Sequence, residues 1–293
     1  MIWLSIVVVV VIAIAVVAGV FLRSRRGRGP GQIVVSQPGD GRWWIYWGVG
    51  ISTIVLFGFV GWTVSTIAAI ARPPAASAFT VDVSARQWWW GFSYGGSRGR
   101  EAFATANELH IPVGEPVRLD LSSPDVIHSF WVPMLGGKTD VIPGRVNRMW
   151  LEADKPGVYR GQCSEFCGRQ HAKMALYVVA EPRAQFEVWL ASQQAAAVTP
   201  ATGALRIGHN RFVDRCGKCH TVRGTLAKGE KGPDLTHVMS RSTLAAGTLP
   251  NNVGNLAGWI AHPQGIKPDA LMPDIDLSGP ELQSIVAYVA TLR

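Results

Sequence analysis

Apolar positions fall into three regimes along the chain, each with its own period. Residues Ile2 to Leu22 are almost wholly apolar and rich in β-branched side chains, about 21 in a row. A run of that length predicts a helix able to cross a hydrocarbon core of ~30 Å. A second apolar run extends from about Trp43 to Ala71, opening with Trp43, Trp44 and Trp47 at interface depth and closing before Arg72-Pro-Pro. It predicts a second span. From Phe79 the pattern changes to short segments that alternate apolar and polar residues between frequent Gly and Pro. Phe79-Thr-Val-Asp-Val, Val117-Arg-Leu-Asp-Leu and Ala175-Leu-Tyr-Val-Val are examples. Period two predicts strands, and many short strands predict a β-sandwich.

Helical spacing returns near the C-terminal end. Gly208-His-Asn-Arg-Phe-Val-Asp-Arg reads as one helix, and the segment from Ser278 to Leu292 reads as an amphipathic helix capped by Ser278 with Glu281. Between sandwich and helices, residues 191–203 are small and polar without periodicity, which reads as a linker. The expected organisation is a multidomain membrane protein. A two-helix transmembrane hairpin occupies 1–75, with helices at about 2–22 and 43–71. An all-β domain occupies 76–190, the linker 191–203, and an all-α domain 204–293. No internal repeat links the last two.

Composition adds to this picture. Hydrophobic residues make up 48% of the 293 and charged residues only 16%, so part of the apolar surface is expected to face lipid. The net charge is +8, but the densest Arg cluster, Arg23 to Arg28, directly follows the first apolar run. It reads as a membrane flank rather than a nucleic-acid site. The segment Arg23 to Arg42 carries five Arg and no Lys and is expected on the cytoplasmic side, which leaves both chain ends outside. A cleaved signal peptide would need a basic leader and a small-residue cleavage site, and the first run has neither.

The candidate chemistry sits in two cysteine pairs. Cys163-Ser-Glu-Phe-Cys167-Gly-Arg-Gln-His171-Ala-Lys-Met174 offers two thiolates, an imidazole and a thioether within twelve residues, and His128 stands 35 residues upstream in Ser-Pro-Asp-Val-Ile-His-Ser-Phe-Trp. One Cys, two His and a weak Met are a copper ligand set. A second Cys four residues on lets two sulfurs bridge two coppers. A Cys163 to Cys167 disulfide is the plain alternative for an exported domain, but it leaves His171 and Met174 unexplained. His110 has no ligand motif around it and reads as a surface histidine. Cys216-Gly-Lys-Cys219-His220 is the attachment pattern of a c-type haem, with two sulfurs near one helix face and His220 for the iron. The sixth iron ligand must come from a loop, with Met239, His237, His262 and Met272 as candidates.

Residues 1–190 resemble cytochrome c oxidase subunit II, whose copper A loop reads C-S-E-x-C-G-x-x-H-x-x-M, and every defined position matches. Residues 204–293 resemble a class I cytochrome c. The first resemblance implies a cupredoxin-like sandwich holding dinuclear copper A through His128, Cys163, the backbone carbonyl of Glu165, Cys167, His171 and Met174. It further implies that the Glu165 carboxylate points toward a magnesium ion at the boundary with subunit I. Trp88, in Gln87-Trp-Trp-Trp-Gly-Phe, matches a tryptophan near copper A where electrons arrive; on this chain it could equally face the fused domain. The second resemblance implies Met272, of Met272-Pro273, as the axial ligand. It also matches Lys231-Gly-Pro-Asp-Leu to a G-P-x-L segment on the proximal side, and makes His209, His237 and His262 surface residues. One departure is that the second span lacks the carboxylate family members commonly carry, and Asp40 is a weak substitute.

Together the resemblances imply subunit II of a proton-pumping haem-copper oxidase in a bacterial plasma membrane, its copper and haem domains external. Electrons would pass from an outside donor through covalent haem c to copper A and on to subunit I, with subunit III a further partner, for reduction of oxygen to water. No nucleic-acid partner is expected. The nearest rival is the equivalent subunit of a copper A nitric-oxide reductase. A quinol oxidase subunit lacks the copper ligands, and a copper-delivery protein has no use for a covalent haem.

Overall fold

A computed structural model of the chain describes residues 2–25, 42–71, 73, 76–95 and 101–293. The chain divides into two units, Met1–Ser65 and Thr66–Arg293. In the first, the apolar runs form α1 (Ile2–Arg25) and most of α2 (Arg42–Ile70). Among the described residues one helix is long and apolar enough to cross a membrane, Trp43–Ile70, with mean hydropathy 1.9. Its side chains are exposed all round, Trp44 by 80% and Ile54 by 74%, which is how a helix meant for lipid looks without lipid. The described apolar stretch of α1, Ile6–Gly19, is shorter than a span. Residues 26–41, which hold most of the Arg-rich segment and Asp40, lie outside the described residues.

The second unit begins with strands that bury every other side chain. Strand β1 (Thr80–Arg86) buries Val81, Val83 and Ala85, and β2 (Trp89–Tyr94) buries Trp90, Phe92 and Tyr94. With β3 (Phe103–Ala106), β5 (Val117–Ser122) and β8 (Asn147–Leu151) they form a sheet in the order β3-β2-β1-β5-β8. A second sheet runs β4-β10-β9, from Glu108–Pro112, Ala175–Glu181 and Gly157–Gln162. The pairs β1 with β5 and β4 with β10 are parallel, the rest antiparallel. One apolar core joins the inner faces, Leu119 and Phe92 from one sheet with Leu109, Ile111 and Leu176 from the other. A short ribbon, β6 (His128–Phe130) with β7 (Thr139–Val141), stands at one end of the sandwich. The metal-loop candidates lie between β9 and β10.

Helix α3 (Arg183–Gln194) extends into the segment expected as linker. Beyond it the backbone is held rather than loose. Arg223 N–H groups donate to the carbonyls of Gln193 and Gln194, and Ala197 N–H donates to Arg223. The all-α part then follows as α4 (Gly203–Arg215), α5 (Val253–Ala261), α6 (Pro263–Ile266) and α7 (Gly279–Val289). A two-residue ribbon, β11 (Thr243–Leu244) with β12 (Leu249–Pro250), precedes α5. Helices α4 and α7 cross at Gly208, where a Cβ would lie 2.0 Å from the Ser284 carbonyl. Only glycine permits that approach, and it brings Phe212 against Tyr288 at 5.6 Å between ring centres. Helix α7 starts with the expected capping box of Ser278 and Glu281.

Candidate metal centre and haem site

The sandwich carries its donors in three pieces that the backbone ties together. His128 leads β6, and Ser164 N–H donates to the Ser129 carbonyl at 2.9 Å, which fixes the cysteine loop beside that strand. Cys163 N–H donates to the Met174 carbonyl at 3.1 Å, closing the loop on itself. Gln162 Nε2 donates to the His171 carbonyl at 3.0 Å. Gln87 Nε2 and Trp88 Nε1 both donate to the Cys167 carbonyl, at 2.8 and 2.9 Å. The loop is thus shaped before any metal arrives.

Inside it, the two sulfurs stand 3.7 Å apart as free thiols, each with its own pair of further donors. Cys163 Sγ has His128 Nδ1 at 3.8 Å and the Glu165 carbonyl oxygen at 3.3 Å. Cys167 Sγ has His171 Nδ1 at 3.5 Å and Met174 Sδ at 3.8 Å. The structure therefore brings together all six copper candidates named from the sequence. His128, Cys163 and Cys167 are buried and cluster within 4.8 Å. The Glu165 side chain is exposed, and only its carbonyl faces the sulfurs.

Electrostatics favour a metal here. A hydrogen bond from the Cys167 thiol, with a further one from His128, holds the Cys163 thiol well below its ordinary range, although burial opposes this. Cys167 is pushed up, because its thiol hydrogen-bonds to Cys163 and is itself desolvated. A buried thiolate beside a thiol would leave a negative charge that a soft cation relieves by replacing the remaining proton. Burial would lower the His128 imidazole, but Asp125 and Cys163 raise it on balance. Burial would likewise raise Asp125, yet hydrogen bonds from His128, Gln87 N–H and Val126 N–H hold it below the usual carboxylate range.

The haem candidates lie at the end of α4. Cys216 and Cys219 are free thiols in the turn that follows α4 rather than on a helix face as expected, with Cys216 pushed up to about 11 by burial. His220 Nδ1 donates to the Pro233 carbonyl at 2.8 Å, so Nε2 carries the lone pair. Burial keeps this imidazole below its ordinary value and neutral, the form that binds iron. Gly232 lets the segment pass close by: a Cβ there would lie 2.5 Å from His220 Cε1. Met272 is half-buried in the loop between α6 and α7, and Gln264 Nε2 donates to its carbonyl at 2.6 Å. Met239 instead packs against the apolar core of the helices. The chemistry of both donor sets fits the groups expected from the sequence.

Three histidines are not where the sequence put them. His237 and His209 are buried, at 6% and 8% exposure, rather than on the surface. Both ring nitrogens of His237 face backbone carbonyls, Arg293 at 2.8 Å and Ala195 at 3.0 Å, which occupies them. His209 packs edge-on against Tyr288. His110 is part-buried and stacks on Trp189 with ring centres 4.0 Å apart. His262 is exposed as expected and pairs with Asp274. No sequence signal pointed to Asp125, which orients His128, or to the Pro233 carbonyl, which orients His220.

Two family models match the chain in succession. The model for cytochrome c oxidase subunit II, periplasmic domain, matches residues 96–181, and that for cytochrome c matches residues 206–293. Cytochrome c oxidase subunit 2 of Alkalihalophilus pseudofirmus is 39% identical over 215 residues, covering 73% of this chain and 61% of the relative. The Bacillus subtilis protein of the same name is 29% identical over 231 residues, covering 75% and 64%. The crystal structure of the periplasmic domain of subunit II of cytochrome oxidase of Bradyrhizobium japonicum is 32% identical. It covers 41% of this chain and 95% of that one, with a TM-score of 0.38. The chain thus spans about three fifths of the length of the curated relatives it matches. A subunit II periplasmic domain implies copper A, and a cytochrome c domain implies haem. With both domains matched in this order, the chain carries a cytochrome c oxidase subunit II periplasmic domain followed by a cytochrome c domain at its C-terminal end, and its relatives are named cytochrome c oxidase subunit 2.

Proposed function

We propose that this chain is the electron-accepting subunit of a bacterial haem-copper oxidase. The observation that carries the reading is the paired donor set, in which each of two free cysteine sulfurs has one imidazole nitrogen and one weaker donor beside it. His128, Cys163, the Glu165 carbonyl, Cys167, His171 and Met174 would hold dinuclear copper A. Cys216 and Cys219 would anchor haem c through thioethers, with His220 and Met272 as axial ligands. When bound, the two groups supply one-electron redox centres that take electrons from an external donor and pass them toward subunit I.

The protein's own residues keep these centres rigid and dry. Asp125 and the Pro233 carbonyl fix the rings of His128 and His220, so neither imidazole reorients as charge changes. Burial of both cysteines of the sandwich and of Met174 excludes water from the sulfurs. Gln87 and Trp88 hold the loop through the Cys167 carbonyl, so the donor positions are set by the sheet rather than by the metal. The exposed Glu165 carboxylate is left for a magnesium ion shared with subunit I.

The remainder of the reading follows from the membrane runs and the family. Helices α1 and α2 form a hairpin with both ends outside, the copper and haem domains are external, and subunits I and III are the partners. Subunit I reduces oxygen to water with proton pumping. The relatives named above are oxidase subunits, which favours oxygen over nitric oxide as terminal acceptor. Elemental analysis of the purified full chain tests the assignment. Two coppers per iron are expected, with the iron surviving denaturation only while Cys216 and Cys219 are present. One copper, or iron lost on denaturation of the wild type, contradicts it.

A further inference from the structure

Sandwich and helical part meet along a polar seam built from the two loops that carry the cofactor candidates. Lys173 Nζ donates to the Ile266 carbonyl at 2.6 Å, and Gln170 Nε2 to the Pro268 carbonyl at 2.8 Å. Arg169 pairs with Asp269 at 2.9 Å, though both are exposed and the pair adds little. His171 sits between Gln170 and Lys173, and Met272 lies three residues beyond Asp269. Each side of the seam therefore bears a donor.

At its centre is Lys267, only 3% exposed. Its Nζ donates to the Trp88 carbonyl of the sandwich at 2.6 Å and to the Ala245 carbonyl of the helical part at 3.2 Å. No carboxylate pairs with it among the described residues. An ammonium buried without a counter-charge is costly. Burial, with repulsion from Lys173, pushes its pKa down to about 7. Both protonation states satisfy the two carbonyls, since a neutral amine still offers two donors. A seam meant only to stick would place an apolar side chain here.

The bonds on either side form a short chain. Trp88 accepts from Lys267 through its carbonyl and donates its indole N–H to the Cys167 carbonyl. On the other side, Gln264 knits the loop: its Oε1 accepts from Asp269 N–H, and its Nε2 donates to the carbonyls of Ala270 and Met272. Building on the proposed function above, we propose that Lys267 is a positioning residue that locks the Met272 loop onto Trp88 and the copper loop, so that haem and copper exchange electrons within one docked chain. The haem iron loses one electron and the copper pair gains it. No bond is made or broken and no proton is required.

The test uses the full chain with both cofactors. The haem is reduced by a light pulse, and its reoxidation and the copper band are followed together. Wild type should show a first-order transfer independent of protein concentration. If it shows none with both cofactors present, the proposed function fails whatever Lys267 does. In Lys267→Met the transfer should slow by about tenfold or more, as expected for losing hydrogen bonds from a charged donor, with haem and copper spectra and potentials unchanged. Lys267→Arg, which keeps donors for both carbonyls, should recover most of the rate. An unchanged rate in Lys267→Met, or a slowing matched by shifted potentials, overturns the proposal; so does Lys267→Arg as slow as Met. Should Lys267→Met not fold, wild-type hydrogen exchange decides. Amides of residues 168–173 and 263–270 must open at one rate, and two separate rates would count against the lock.

Discussion

His128 Nε2 donates to Asp125 Oδ1 across 2.8 Å. A carboxylate oxygen can only accept, so Nε2 keeps its proton, and Nδ1, the atom that faces Cys163 Sγ, is the nitrogen left to give up its proton to a metal. A residue three positions upstream thus orients the ring of a proposed copper ligand.

Replacing that acceptor should weaken the site without removing a ligand. For Asp125→Ala, copper affinity should fall by roughly 10–100-fold, the usual cost of losing a partner that orients a metal-binding histidine. Asp125→Asn keeps an acceptor and should lose much less. Competition with a copper chelator measures both, and equal affinities for all three proteins would show that Asp125 does not orient the ring.

The axial haem ligand is open to a similar comparison. Met272→His exchanges a thioether for a stronger donor that favours ferric iron, and a drop of about 0.2 V is a modest part of the roughly 0.8 V range set by axial ligands. At ~59 mV per tenfold in a one-electron couple, the equilibrium for reducing the haem from the external donor would fall by about three decades, while transfer from haem to copper would gain the same factor. The thioether band at the red edge of the visible spectrum should vanish in Met272→His and persist in Met239→His. The reverse pattern would move the ligand to Met239.

Acid should loosen the last helix through its cap. Hydrogen bonds from the Ser278 side chain and backbone hold the Glu281 carboxyl below its ordinary 4.5. Between the two values the unfolded chain binds more protons, so this contribution is present above about 4.5 and lost as pH falls through the folded value. Thermal melting of wild type and Glu281→Gln should therefore differ at neutral pH and converge in acid. A gap that persists in acid would mean that the cap does not depend on the charge.

The candidate sites were legible in the sequence because side chains that could hold a metal or a haem stand there at fixed spacing. Cys163, Cys167, His171 and Met174 announce themselves within one loop, as do Cys216, Cys219 and His220. Period-two alternation likewise marked β1, β5 and β10, but the parallel pairing of β1 with β5 depends on long-range contacts that no local pattern encodes. What stayed hidden was supplied by backbone atoms or by docking. The Pro233 carbonyl orients His220 without any side-chain signature. His237 was expected on the surface, yet the carbonyls of Arg293 and Ala195 close over its ring, and Lys267 is buried where the sandwich meets the helical part.

Paramagnetic resonance of the copper-loaded full chain tests the central claim most directly. If Cys163 and Cys167 both bridge two coppers, the spectrum should carry the hyperfine pattern of one electron shared equally by two copper nuclei, and Cys167→Ser should abolish it. A wild-type spectrum of a single isolated copper, or a shared-electron pattern that survives in Cys167→Ser, would contradict the paired site.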